Sequence, residues 1–192
     1  RVASPSGTCY PWGPGPPVNT MPAPTPTADL LLETLARRVV VLDGAMGTMF
    51  QGLGLTEADY VGDRFRDHPV SVAGCPELLQ LIRPDVVEAV HYDFLRAGAD
   101  IIETNTFGAN TYNLGEYQLQ GLVRETNLAA VAVARRAADR AMAEDGRPRW
   151  VAGSIGPTNK TASLSPDVND PGFRAARFAD LVAVYREQAE AL

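Results

Sequence analysis

The run Pro84-Asp85-Val86-Val87-Glu88-Ala89-Val90-His91-Tyr92-Asp93-Phe94-Leu95-Arg96-Ala97-Gly98, followed at once by Ala99-Asp100-Ile101-Ile102-Glu103-Thr104, decides the fold class. Val86, Val87, Val90, Phe94 and Leu95 recur at helical spacing and give one apolar face. Proline at the first helical position and glycine just past the last one fit the asymmetry of helix ends. The short β-branched stretch that follows then reads as a strand.

The same alternation extends in both directions. Upstream, Asp29 is expected to cap a helix running to Arg38, with Leu31, Leu32 and Leu35 on its apolar side. Val39-Val40-Val41-Leu42 then forms an apolar run, of the kind found in strands covered on both faces, and ends in Asp43-Gly44. Residues 51–81 read as a long polar loop. Downstream, residues 119–143 are alanine-rich without glycine or proline and predict a long helix. Trp150-Val151-Ala152-Gly153-Ser154-Ile155 predicts a third strand, ending in Gly156-Pro157. A last helix is expected from near Arg174, with Phe178, Leu181, Val182, Tyr185, Ala189 and Leu192 on one stripe. Strands alternating with helices long enough for crossovers mean α/β with a parallel sheet. A doubly wound sheet and a (βα)8 barrel both fit this periodicity. A barrel needs roughly 200 residues or more, so three units would be an incomplete one.

Composition sets the outer limits. The 192 residues, 45% hydrophobic and 21% charged, suit a soluble domain with a real core. A net charge of −6, from 23 acidic and 17 basic residues, with no basic patch, speaks against nucleic acid and anionic membrane as partners. The apolar stretches are too short to span a bilayer. Two cysteines far apart, Cys9 and Cys75, make neither a metal site nor a disulfide framework, so a reducing cytoplasmic setting is expected.

Residues 1–27 form a separate segment. Pro5, Pro11, Pro14, Pro16, Pro17, Pro22, Pro24 and Pro26 are over half of the 15 prolines, and proline removes backbone donors, so a disordered extension is expected. Met21 is the natural candidate for a start. The folded domain is expected over 28–192. The chain begins with Arg1 and ends at Leu192 inside a helical pattern, which suggests a piece of something longer.

In parallel α/β folds the chemistry sits at the carboxyl ends of the strands. Those ends carry Asp43-Gly44-Ala45-Met46-Gly47-Thr48, then Glu103-Thr104-Asn105-Thr106-Phe107-Gly108, then Gly156-Pro157-Thr158-Asn159-Lys160. Asp43 and Glu103 offer carboxylates to an ammonium group. Gly44 lets a backbone amide approach an anion. Asn105, Thr106 and Thr158 add neutral hydrogen bonds. The mixture suits a small amino acid, whereas no phosphate loop or dinucleotide fingerprint is present. A bland reading stands beside each: Asp-Gly after a strand is often a turn, and Glu103 can serve neighbouring loops. Asp167-Val168-Asn169-Asp170 lacks the later glycine and glutamate of a calcium loop and reads as Asx turns. His68 and His91 read as solvated or packed, and Cys75 has no base beside it that would make it a nucleophile.

Several of these motifs, taken together, carry a resemblance. Leu42-Asp43-Gly44-Ala45-Met46-Gly47-Thr48-Met49, Glu57-Ala58-Asp59-Tyr60, the stretch from Ala97 to Phe107, Val151-Ala152-Gly153-Ser154-Ile155-Gly156-Pro157-Thr158-Asn159 and the run from Thr161 to Pro171 resemble the homocysteine-binding domain of cobalamin-dependent methionine synthases. The resemblance extends from Leu35 to Leu192. It implies a (βα)8 TIM-type barrel of which this chain holds the first three units. It further implies a methyl transfer from methylcobalamin to homocysteine, giving methionine. Asp43 and the backbone of Gly44 would hold the amino-acid end of homocysteine, with Asn105 and Thr106 lining the same pocket. Zinc would be held by three cysteines expected beyond Leu192, so no residue of this chain is expected to be catalytic or to ligate metal. Downstream folate-binding and cobalamin-binding domains of the same parent chain are the implied partners. Betaine- and S-methylmethionine-type homocysteine methyltransferases form the competing enzyme reading, against which the 57–65 and 163–171 segments weigh. A non-catalytic truncated product is the alternative of another class.

Overall fold

The computed structural model describes residues 25–192. Up to residue 24, the extension expected over 1–27 lies outside the described residues.

Ala28–Arg37 forms helix α1, capped by the Thr27 hydroxyl, which accepts the N–H of Leu30, and not by Asp29 as the sequence suggested. None of its residues is buried, and Leu32 and Leu35 are exposed. The expected first strand is not formed. Residues 39–42 contribute one parallel bridge, Leu42 to Ile101, and Val39, Val41 and Leu42 remain exposed. The apolar run has strand propensity but gains a neighbour on one side, and a strand needs a ladder to persist.

The 51–81 stretch is not an open loop. Met46–Gly52 (α2) extends into it, and Glu57–Val61 (α3), a 3-10 turn at Pro76–Leu78 and Leu79–Ile82 (α4) lie within it. The Thr56 and Asp59 side chains form a capping box at α3, a device that lets a five-residue helix start cleanly.

Pro84–Ala97 is helix α5, closed by Gly98 in the left-handed conformation at φ 112°. Ile101–Glu103 is β1. Thr111–Glu116 is α6, and after a 3-10 turn at Gln120–Leu122 comes Val123–Asp145, the 23-residue α7. Trp150–Ala152 is β2, which stops three residues before the expected end. It pairs in parallel with β1, Ile102 opposite Val151. Phe178–Ala191 is α8, starting four residues after the expected position because Arg177 and Asp180 form its cap.

Two helices carry the core. Leu95 and Tyr92 of α5 pack with Ile102 of β1 on Ala134, Ala137, Ala138 and Ala141 of α7. The small side chains let α7 approach the sheet and α5 closely, which explains the alanine run. A second cluster joins Phe50, Leu79, Val87, Val90 and Val133. A third joins Phe65, Val72, Cys75, Leu78, Leu114 and Val123. The buried side of α8 is Val184, Gln188 and Ala191, whereas Phe178, Val182 and Ala189 of the expected stripe are exposed. The chain is thus α/β and mostly helical, with two short parallel strands and one bridge among the described residues. No helix among the described residues is long and apolar enough to cross a membrane.

Candidate functional site

The parallel pairing brings Asp43, Glu103 and the loops after β1 and β2 to one end of the sheet. The N–H of Asp43 donates to Ile101 O at 3.0 Å, and the N–H of Glu103 donates to Asp43 Oδ1 at 2.9 Å. Burial pushes the Asp43 carboxyl up to about 6, and the Glu103 charge beside it pushes the same way. Two half-buried carboxylates therefore share this end of the sheet. Next to them, a β-carbon added at Gly44 would meet nothing within 4 Å, so the space on that side of its Cα is open.

Asn105 and Thr106 occupy different surroundings. Asn105 is 8% exposed, and its Nδ2 donates to Pro76 O at 2.7 Å and to Gln80 Oε1 at 2.9 Å. Thr106 is fully buried; its hydroxyl donates to Ser154 O at 2.7 Å and lies 2.6 Å from Thr104 Oγ1. Thr104 Oγ1 in turn accepts the N–H of Ser154 at 3.0 Å. These hydroxyls bind the two strand-end loops to each other. Gly156 completes the junction: its N–H donates to Phe107 O at 3.0 Å, and a β-carbon there would fall 2.5 Å from that oxygen. Thr158 is turned to its own loop, donating to Lys160 O at 2.7 Å.

A cavity of about 400 Å³ opens beside this end, lined by Cys75, Glu77, Phe107, Tyr117 and Asn159 among others. Neither Asp43 nor Glu103 lines it. Its polar groups are engaged internally: Glu77 Oε1 accepts the N–H of Gly108 at 2.8 Å, and Tyr117 donates to Gly74 O at 3.2 Å. We therefore take the carboxylate pair, and not this hollow, as the candidate site.

No group of three or more His, Cys, Asp or Glu side chains among the described residues is placed to hold a metal. Cys75 does not fit such a role. It is 1% exposed, its thiol lies 3.6 Å from Glu77 Oε2, and burial, with the nearby Glu77 charge, pushes its pKa far up, so it stays protonated. Cys9 lies outside the described residues. The 165–172 stretch is a set of Asx turns, with Asp167 Oδ1 accepting the N–H of Asn169 at 2.8 Å and Asp170 Oδ1 that of Gly172 at 3.0 Å.

The sequence reading missed Gln80, Asn127 and Gln188, buried carboxamides that hold the loop after β1. For two of them the signal was a polar residue at core spacing: Asn127 between Val123 and Ala130 on α7, Gln188 between Val184 and Ala191 on α8.

The chain is similar to known proteins over most of its length. Residues 40–192 match the family model of homocysteine S-methyltransferase. The metallated form of the homocysteine methyltransferase MmuM from Escherichia coli superposes with a TM-score of 0.61 at 25% identity, covering 84% of this chain and 52% of that one. The oxidized form gives 0.61 at 24% identity with the same coverage, a likeness of fold. The apo form, at 22% identity, gives 0.54. The chain thus spans about half the length of the solved methyltransferases it matches.

Proposed function

This chain belongs to the homocysteine S-methyltransferase family, and on that premise we propose that it supplies the amino-acid-binding part of a homocysteine methyltransferase site in a larger enzyme. The observation that carries this reading is the Asp43–Glu103 carboxylate pair at the strand ends, with Gly44 open beside it. Above a pH of about 6 Asp43 is ionised, so the pair attracts the substrate ammonium. The Gly44 backbone receives the substrate carboxylate. Asn105 and Thr106 act on the pocket by fixing the loop that borders it, and Glu103 adds the second negative charge. The thiol is left pointing away from this chain's carboxylates.

Zinc in this family serves to hold a thiol as thiolate. The described residues do not fit such an ion, so we assign its ligands to cysteines outside them, and no step here runs through it. For the methyl donor we favour methylcobalamin, carried and regenerated by further domains in a cytoplasmic enzyme. The 57–65 and 163–171 segments support this choice, because their resemblance is to the cobalamin-dependent type. Betaine or S-methylmethionine as donor is the second reading.

Calorimetry on the full-length protein tests the site. Homocysteine should bind, and 4-mercaptobutanoate, which lacks the ammonium, should bind at least about tenfold more weakly, the loss of one charge-assisted contact. Equal affinity for the two would sink the carboxylate-pair reading, and no affinity for either would support a non-catalytic product. Methionine formation with methylcobalamin, set against betaine and S-methylmethionine, decides the donor.

A further inference from the structure

Three side-chain carboxamides, from three different helices, each capture one main-chain carbonyl of the 104–110 loop. Gln80 Nε2 of α4 donates to Asn105 O at 3.1 Å, Gln188 Nε2 of α8 to Thr106 O at 2.7 Å, and Asn127 Nδ2 of α7 to Ala109 O at 2.8 Å. Two of them are also joined to each other, since Gln188 Nε2 lies 3.4 Å from Asn127 Oδ1. All three are buried. The captured carbonyls bracket Phe107, which is 60% exposed at the crest of the loop. The loop is thus held at both shoulders while its crest faces outward.

Packing alone does not ask for these residues. Gln188 occupies a position where α8 otherwise buries Val184 and Ala191. Around the clamp, Gln188 Oε1, Asn110 Nδ2 and Thr126 Oγ1 are buried without a hydrogen-bond partner among the described residues. Buried polar atoms left unpaired weigh against stability, so Gln188 carries a cost at Oε1 that an apolar side chain would not. What an apolar side chain could not do is fix the direction of a loop carbonyl.

We propose that Gln188, acting with Asn127 and Gln80, is a positioning residue that sets the 104–110 loop in the conformation the substrate site requires. The proposal rests on the homocysteine reading of that site. It makes α8 part of the site through a single hydrogen bond to Thr106 O.

The test uses the full-length protein and two variants. Gln188→Met keeps the length of the side chain and removes the donor. Val133→Ala, packed on Phe50, Leu79 and Val87 away from the loop, controls for lost stability. In Gln188→Met the homocysteine KM should rise roughly tenfold with kcat within about twofold, the loss of one oriented hydrogen bond. Hydrogen exchange at the 105–110 amides should accelerate in the same variant. Val133→Ala should melt lower with KM and loop exchange unchanged. A Gln188→Met protein that melts lower while both KM and loop exchange stay at wild-type values would overturn the proposal. Faster loop exchange with an unchanged KM would overturn it too, by separating the loop from the site. Wild-type protein that binds no homocysteine would sink the functional reading by itself. Loop exchange then decides the clamp alone: faster in Gln188→Met supports it, unchanged overturns it.

Discussion

Asp43 Oδ1 accepts the N–H of Glu103 at 2.9 Å, while the N–H of Asp43 itself donates to Ile101 O. The side chain therefore provides the acceptor that the carbonyl of a continuing strand would have provided. It ends the parallel pairing of residues 39–43 with β1, and one carboxylate oxygen is spent in doing so. The same carboxylate is thus a stop for the strand and a charge at the candidate site.

These two roles separate in the substitution Asp43→Asn, which keeps an acceptor for Glu103 and removes the charge. Burial raises the folded-state pKa of Asp43 to about 6, above its ordinary value. The folded protein therefore holds this proton more tightly than the unfolded chain, and stability falls as pH rises from about 4 to about 6. After allowance for its partial exposure, ionisation costs on the order of 1 kcal/mol. Asp43→Asn should melt higher than wild type at pH 7.5, melt alike at pH 4, and bind homocysteine at least about tenfold more weakly. Calorimetric melts at both pH values with one titration check this, and unchanged affinity would remove Asp43 from the site.

At the opposite end of the sheet, Asp100 pins the 38–41 segment. It accepts two bonds from Arg38, at 2.7 and 2.8 Å, and the N–H of Val41 at 3.0 Å. The Arg38 hydrogen bonds are the main reason its carboxyl is held down at about 2. A depressed folded pKa gives stability that is full above the unfolded value and is lost as pH falls through about 2. Asp100→Ala should lower Tm by roughly 5 °C and speed amide exchange at Val41. Asp100→Asn, which retains an acceptor, should spare more of the Val41 protection. Identical exchange at Val41 in all three proteins would refute the pin.

How much of this was legible follows from how local each signal is. The α5 helix with its Pro84 start and Gly98 stop was readable because its caps and periodicity lie within one segment. The pairing of Ile101–Glu103 was also readable as a short β-branched run. The 39–42 run misled, because whether an apolar run becomes a strand depends on neighbours on both sides that sequence does not display. The expected α8 stripe is only half right, with Leu181, Tyr185 and Leu192 partly buried, because the buried face carries a glutamine at its centre, Gln188, which apolar periodicity skips over. At the candidate site, the position of Asp43, Gly44 and Glu103 at one end of the sheet was legible from the strand pattern. The engagement of Asn105 and Thr106 by Gln80, Pro76 and Ser154 was not, since it joins residues 25 to 48 positions apart.

Cys75 should behave as an inert core thiol. It packs with Phe65, Val72 and Leu78, and burial keeps it protonated. Maleimide or dithionitrobenzoate should leave Cys75 unmodified at pH 8 in the native protein and label it on addition of guanidinium, as mass spectrometry of the peptide reads. Cys75→Ser should leave the zinc content of the full-length enzyme unchanged. Rapid native labelling, or a loss of zinc in Cys75→Ser, would restore this cysteine as a functional candidate.

His91 gives the sharpest dependence on acid. It lies on α5, is fully buried, and both ring nitrogens lack a hydrogen-bond partner among the described residues. Burial pushes its pKa down to about 4. The unfolded chain therefore takes up this proton between about 6.5 and 4 while the folded protein refuses it. Stability is full above pH 6.5 and declines toward pH 4, by on the order of 3 kcal/mol from this one group. His91→Leu, which fills similar space without a titrating ring, should flatten that slope and melt higher than wild type at pH 5. The two proteins should differ far less at pH 8. Urea unfolding from pH 4.5 to 8 measures the slope directly. Parallel slopes for wild type and variant would mean that the imidazole finds a partner when charged, and that the acid sensitivity of the fold lies elsewhere.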